Sequence, residues 1–352
     1  MYLRSLRLNN FRSYDDVTFH FLPGINHIVG KNAVGKTTIL EAIYLLISGR
    51  SFRTQQHSEL IRHNSPYFLV EAVFFKHGME QRLTFAFDGR NKKITLNRSI
   101  CPSYANLLGI MTGVVFTPDD PDLVKGGPAE RRQFMDLHIA QFDPLYVHFL
   151  SRYNKAMRQR NCLLRSGQLQ AIAPWEEEMS GAAEYLLKKR IISMQSLAHH
   201  ADEVYKEISG EAVNLHVGFK STWCKNEENI RQSYLTLLQK NRLREKELGF
   251  TLSGPHKDDL SFTMAGKEVK IFGSEGQQRS CVASLKFSSW IKLQKEVGIN
   301  PLLLTDDIEM GLDGGRTERL HTKLMAAGQV FLTSTKQVEN RELRPIDALL
   351  SI

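Results

Sequence analysis

The stretch that decides the fold is His27-Ile28-Val29-Gly30-Lys31-Asn32-Ala33-Val34-Gly35-Lys36-Thr37-Thr38. A short strand candidate, His27-Ile28-Val29, runs directly into G-x-x-x-x-G-K-T. From Lys36 onward, Leu40, Ile43 and Leu46 recur at helical spacing as far as about Ile47. Strand, glycine loop and helix in this order suit a phosphate cradle. The glycines let backbone N–H groups close around phosphate oxygens, and the helix N-terminus adds positive potential. Lys36 reaches the outer phosphates and Thr37 ligates Mg²⁺. An ordinary turn is the plain alternative, and the flanking strand and helix argue against it.

A phosphate-loop lysine cannot hold a metal, so a carboxylate has to arrive from another strand. Pro301-Leu302-Leu303-Leu304-Thr305-Asp306-Asp307 supplies it, because an all-apolar run marks a strand covered on both faces. Asp306 then sits at its carboxyl end beside the phosphates, and Asp307 is placed to orient or deprotonate a water. A helix N-cap is the other reading of this acid pair. A third element, Phe272-Gly273-Ser274-Glu275-Gly276-Gln277-Gln278-Arg279, opens a helix through Val282, Leu285 and Trp290. Ser274 and Gly276 would offer hydroxyl and N–H groups to an anion. A capped surface helix is the bland alternative.

Working outward, Met1 to Leu8 alternates as a strand, and Tyr67 to Leu96 reads as a β-meander broken at His77-Gly78 and Asp88-Gly89. From about Pro128 to Glu247 glycine is scarce and helix formers dominate, so this third is expected to be all helical. Within it Arg152, Lys155, Arg158 and Arg165 fall largely on one helix side. They read as a solvated face or as a stripe that tracks phosphates. Short strands return after Gly249.

The 352 residues carry 46 Lys+Arg against 38 Asp+Glu, a net charge of +8, with 42% hydrophobic and 24% charged residues. Disorder, collagen and rod-like coiled coils are excluded by this balance. The excess of positive charge points to a polyanionic partner, nucleic acid first and an acidic membrane surface second. No run approaches the 18 or so apolar residues of a membrane span, and the N-terminus has no apolar signal core. Cys101, Cys162, Cys224 and Cys281 form no C-x-x-C pair, so they are read as buried thiols of a cytoplasmic protein.

Further stretches carry a resemblance: Asn10-Phe11-Arg12-Ser13-Tyr14, Arg50-Ser51-Phe52-Arg53-Thr54, the long run from Pro118-Asp119 through Gly126-Gly127-Pro128 to Arg131-Arg132-Gln133-Phe134-Met135-Asp136, Ser253-Gly254-Pro255-His256-Lys257-Asp258-Asp259, and Leu312-Asp313. Together with Gly30–Thr37, Ser274–Arg279 and Asp306-Asp307 they make the chain similar, from end to end, to the SMC/Rad50-like family of ABC ATPases. The resemblance implies an α/β ABC-type P-loop ATPase head, with mixed sheets and helices and discontinuous in sequence, bearing a compact all-helical arm. Residues 1–115 would form the first head lobe, 116–245 the arm, and 246–352 the rest of the head.

It further implies ATP and Mg²⁺ held by Gly30, Lys31, Asn32, Ala33, Val34, Gly35, Lys36, Thr37 and Thr38 with Arg12. Thr37 and Asp306 would bind the metal, and Lys36, Asp306, Asp307 and Ser274 would be catalytic. Ser274, Gly276 and Gln277 would close on nucleotide held by a second copy, giving an ATP-dependent homodimer. The resemblance also implies binding to duplex and gapped DNA and action with the mediators RecO and RecR in loading RecA. Four departures stand out: Met310-Gly311 replaces the usual Ser-Glu before Leu312-Asp313, Lys257 replaces an Arg, Ala33 replaces a commoner Gly, and Leu332-Thr333-Ser334-Thr335 lacks the switch His of ABC ATPases. Slow hydrolysis is expected. The ATPase subunit of a transporter is the competing function for the same head.

Two stretches remain open on their own residues. His256 with Asp258 and Asp259 reads as a metal constellation or as a structured loop. Pro118-Asp119-Asp120 lies where a metal- and water-positioning loop is expected, or is a plain turn.

Overall fold

In the computed structural model, residues 1–224, 228–307, 313–334 and 348–351 are described. The first part of the chain runs β1 (Tyr2–Phe11), β2 (Tyr14–His20), β3 (Ile25–Val29), α1 (Lys36–Ser48), β4 (Phe68–Lys76), β5 (Met79–Phe87), β6 (Lys92–Leu96), β7 (Ser99–Ile100) and β8 (Gly113–Phe116). The middle contains α2 (Asp122–Lys125), α3 (Pro128–Ala140), α4 (Pro144–Ser166), α5 (Ala173–Ser209), β9 (Leu215–Lys220) and α6 (Ile230–Leu248). The last part adds β10 (Asp259–Met264), β11 (Lys267–Glu268), α7 (Val269–Phe272), α8 (Glu275–Val297), β12 (Leu302–Asp306), α9 (Gly314–Ala326), β13 (Val330–Ser334) and β14 (Ala348–Ser351).

Two sheets enclose α1. One is six-stranded in the order β2-β1-β4-β5-β6-β7, and the other is five-stranded and parallel in the order β14-β3-β13-β12-β8. Every residue of α1 except Thr37 is buried, because Ile39, Leu40, Ile43 and Leu46 share one core with Leu6, Val70 and Phe85 of the first sheet and Leu302 and Leu304 of the second. The helix is therefore apolar around its circumference rather than along one stripe. Leu303, between those two leucines, points the other way, into a core with Phe287 and Trp290 of α8 and Leu320 and Leu324 of α9. That double covering is why β12 has no polar residue before Thr305.

The 37-residue α5, about 55 Å long at 1.5 Å per residue, belongs to two cores. Its first half packs with α4 and α6 through Met179, Ala183 and Leu187. Its second half lays Met194, Leu197 and Tyr205 against α8 and a small three-stranded sheet, β11-β10-β9. That sheet corrects the all-helical expectation. Leu215–Lys220 is a strand, with Leu215 and Val217 buried, and it pairs antiparallel with β10. Cysteine exposure is a second correction, since Cys281 is buried while Cys162 is exposed and Cys101 and Cys224 are half-buried.

Charged side chains tie these layers together. Arg131 makes a two-pronged pair with Asp259, at 2.6 and 3.1 Å, and donates to the Gly126 carbonyl. Arg190, almost fully buried, bridges Asp136 at 2.7 Å and Asp258 at 2.8 Å. The runs Pro118–Asp136 and Ser253–Asp259 thus form two sides of one junction.

Candidate functional site

The phosphate loop starts where β3 ends, and its backbone is left-handed at Ala33 (φ 66°) and Gly35 (φ 111°). Gly35 cannot be replaced without strain, because a Cβ there would lie 2.7 Å from the Tyr14 hydroxyl. Ala33 takes its conformation at the cost a side chain incurs in that region. Lys36 is buried against its own loop and donates to the carbonyls of Gly30 at 2.7 Å and Lys31 at 2.9 Å.

Three parallel strand ends meet at the loop. Ile28 of β3 pairs with Thr333 of β13, which pairs with Asp306 of β12. Asp306 Oδ1 accepts from Thr37 Oγ1 at 2.9 Å and from Thr333 Oγ1 at 2.8 Å. The Asp307 N–H donates to Thr333 Oγ1 at 3.1 Å, and Asp307 is left-handed at φ 45°. The pair is therefore a strand end beside the loop and caps no described helix. Thr37, Thr333 and Asp307 line a cleft of about 1010 Å³ together with Arg12, Asn32 and Thr38, while Asp306 is buried just behind Thr37 and Thr333 and does not itself line it.

Arg12 lies on the cleft wall with its guanidinium engaged, donating to Glu41 at 2.7 and 3.0 Å and to the Glu59 carbonyl. Glu41 is fully buried and also takes Ser51 and Arg53. Sequence reading passed over Glu41. Its signal was a carboxylate inside the apolar run Ile39–Ile47, where a charge persists only with partners.

Ser274 caps α8. Its Oγ accepts from the Gln277 N–H at 3.2 Å while the Gln277 side chain accepts from the Ser274 N–H at 3.1 Å, a reciprocal box. Gln278 Nε2 pins the preceding turn through the carbonyls of Val269 and Gly273. Ser274 is exposed, and neither it, Gly276 nor Gln277 lines the cleft of its own chain. The Gln277 amide instead reaches Glu211, which also pairs with Arg316 on α9. Met310, Gly311, Leu312 and Thr335 lie outside the described residues.

His256 is no metal ligand here. Its ring nitrogens are taken by the Tyr153 hydroxyl at 2.7 Å and the Thr251 carbonyl at 3.0 Å, and Asp258 is taken by Arg190 and Trp223. The loop is a buried junction. Pro118-Asp119-Asp120 is a turn whose Asp120 carboxylate pairs with Lys286 on α8. Of the basic stripe, Arg152 pairs with Glu178, while Lys155, Arg158 and Arg165 are exposed and form no ion pair among the described residues.

Two rings, His138 buried and His256 half-buried, make stability depend on pH. Burial lowers His256 to about 4, and burial with nearby Lys292 lowers His138 to about 3. Unfolded, both titrate near 6.5. The unfolded chain therefore binds more protons below that pH. Stability is intact above pH 6.5 and falls as pH drops toward 4 and then 3, by up to about 1.4 kcal/mol per pH unit for each ring. Urea unfolding across this window checks it, and His256→Gln is expected to flatten the slope. Equal slopes in both proteins would refute the assignment.

A phosphate loop on a helix held between an antiparallel and a parallel sheet, an acid at the end of an apolar strand and a serine-headed helix in the second lobe define an ATPase head of the SMC type. The sequence pattern of the RecF/RecN/SMC N terminal domain matches residues 2–350. The chain belongs to the RecF family: it is 47% identical over 338 residues to the DNA replication and repair protein RecF of Protochlamydia amoebophila, covering 95% of this chain and 94% of that protein. The RecF of Chlamydia caviae is 34% identical over 100% of this chain and 96% of its own length. A solved structure of the recombination mediator protein RecF with ATPrS, in the RecFOR pathway, superposes with a TM-score of 0.90 at 30% identity, covering 100% of this chain and 96% of that one. The Smc head domain of Pyrococcus furiosus shares the fold, with a TM-score of 0.55 at 18% identity over 95% of this chain and 90% of that one.

Proposed function

We propose that this chain is an ATP-timed DNA clamp of recombinational repair and replication. It binds ATP with Mg²⁺ in the P-loop cleft and pairs with a second copy, so that Ser274 of each meets the γ-phosphate held by Lys36 of the other. The paired form holds duplex and gapped DNA, hydrolyses ATP slowly, and assists the mediators RecO and RecR in loading RecA. The observation that carries this reading is the exposed, rigidly capped Ser274, which lies off the cleft of its own chain. The Ser274 Oγ accepts from the Gln277 N–H and its own O–H donates to no partner among the described residues, so that hydroxyl is free to meet an anion carried by a second copy.

The residues fit the proposed ligands. Thr37 Oγ1 and Asp306 Oδ1, 2.9 Å apart, are the hard oxygen donors Mg²⁺ takes. When bound, the metal would neutralise phosphate charge. The left-handed loop exposes N–H groups to an anion, and the buried Lys36 stem aims its ammonium along the loop. Since the γ-phosphate would be shared, ATP stabilises the pair by binding it in preference to the single chain, and hydrolysis removes that preference. Lys155, Arg158 and Arg165, unneutralised on α4, supply positive charge for DNA, doubled in the pair. RecF-like similarity along the whole chain weighs against a transporter subunit.

The test is molecular mass in solution with ATP, with ADP and without nucleotide, then with duplex DNA added. Wild type is expected to double in mass with ATP alone, and Lys36→Met and Ser274→Arg to remain single. Pairing indifferent to Ser274→Arg would sink the shared-nucleotide clamp.

A further inference from the structure

A second cavity, of about 860 Å³, opens at the other end of α1, past Tyr44 and the C-cap Gly49. Its walls come from the Arg50–His57 segment, Gly113–Val115 of β8 with the turn after it, the start of α2, α3 and α8. Its volume is that of an ordinary small-ligand site. Nothing in the P-loop reading uses it.

The floor is polar and incomplete. His138, 2% exposed, holds Ser289 Oγ at 2.7 Å through Nδ1, while its Nε2 has no partner. An unpaired buried nitrogen is costly, so the ring is held here by its packing and by Ser289. Beside it the wall is aromatic: Phe134 lies parallel to the His138 ring, 10° apart in plane and 6.3 Å between centroids. A flat heterocycle would meet an aromatic ring surface there.

The rim is charged unevenly. Arg50, whose guanidinium lies 5.9 Å over the Tyr104 ring, and Lys92, whose pKa is lowered by burial first and by Arg50 second, both line the cavity, and neither has a carboxylate partner among the described residues. The exposed acids Asp119, Asp122 and Glu130 also line it, while Asp120 is paired with Lys286 and Arg53 with Glu41. The Arg50 and Lys92 side suits one phosphate, and the acids repel further ones. A continuous nucleic-acid backbone is disfavoured, and a single nucleotide is not.

We propose that this cavity is a second nucleotide site, which takes one nucleobase against Phe134 and the His138–Ser289 floor and its phosphate on Arg50 and Lys92. The shared chemistry is a nucleoside monophosphate, free or as the phosphorylated end of a DNA strand. Arg53 alone of the described residues lines both this cavity and the P-loop cleft, through its 3.6 Å pair with Glu41.

Calorimetric titration with dTMP and dAMP, and separately with a short single strand bearing or lacking a 5′-phosphate, tests the site. Lys92→Glu is expected to weaken binding by about tenfold or more, and Gln133→Trp, at the cavity lining, to abolish it. ATP affinity should be unchanged in both, which also shows that they fold. Binding of dTMP or dAMP identifies the free nucleotide as occupant, and binding of the phosphorylated strand alone identifies the strand end. No binding of any probe, binding that survives both variants, or binding lost only in Lys36→Met would each overturn the proposal. ATP-dependent pairing is measured separately, so failure here leaves the clamp reading standing.

Discussion

Arg190→Met is expected to destabilise the chain by about 3–5 kcal/mol. The guanidinium is almost wholly buried and every edge of it is used. It donates to Asp258 Oδ2 at 2.8 Å, to Asp136 Oδ1 at 2.7 Å, to the Pro255 carbonyl at 2.6 Å and to the Tyr146 hydroxyl at 2.9 Å. Asp258 is fully buried, and burial already pushes its pKa up despite this partner. Without Arg190 it would keep the Trp223 N–H at 2.7 Å, too little to hold a charge away from water. Met fills the volume, so the measured loss is electrostatic rather than a cavity effect. The thermal midpoint should fall by roughly 5 °C or more. Adding Asp258→Asn should restore part of it, because the orphaned charge is then gone. A loss under about 1 kcal/mol, or no recovery in the double variant, would mean that the junction is not what joins arm to head.

The elements read correctly from sequence were those whose signal is local. The glycine loop, the apolar run before Asp306 and the helix start at Ser274 each lie within about ten consecutive residues, and period or spacing suffices for them. β9 was missed because Leu215, Val217 and Phe219 make a short alternation among helix formers, and its partner β10 lies beyond the whole of α6. Arg190 and Asp258 were likewise unreadable as a pair. They lie far apart in the sequence, and only the packing of α5 against the Pro255 turn buries them together. Arg12 shows a subtler limit. Its motif marked it as a nucleotide contact, and it does line the cleft, but the carboxylate that holds it there comes from α1.

Asp306→Asn and Asp307→Asn are expected to separate two roles that adjacent acids leave merged. Asn at 306 keeps one side-chain oxygen for Thr37 and Thr333, so the strand end stays in register while the negative charge is lost. Mg²⁺-dependent hydrolysis should fall by roughly 100-fold, and ATP-induced pairing should weaken with it, since the charge that would hold the metal is gone. Asp307 differs. Its backbone is left-handed, and Asn tolerates that region at least as well as Asp, so the substitution adds no strain. Its backbone N–H to Thr333 is also untouched. The loss is confined to a carboxylate beside the cleft, so hydrolysis should drop by a similar factor while ATP binding and pairing persist. Steady-state phosphate release and solution mass in the same ATP sample would check both variants: low turnover with a lasting pair for Asp307→Asn, low turnover with a weakened pair for Asp306→Asn. Near wild-type turnover in Asp307→Asn would remove it from the water-positioning role, and unaltered pairing in Asp306→Asn would mean that Asp306 holds Thr37 and Thr333 in place without carrying the metal.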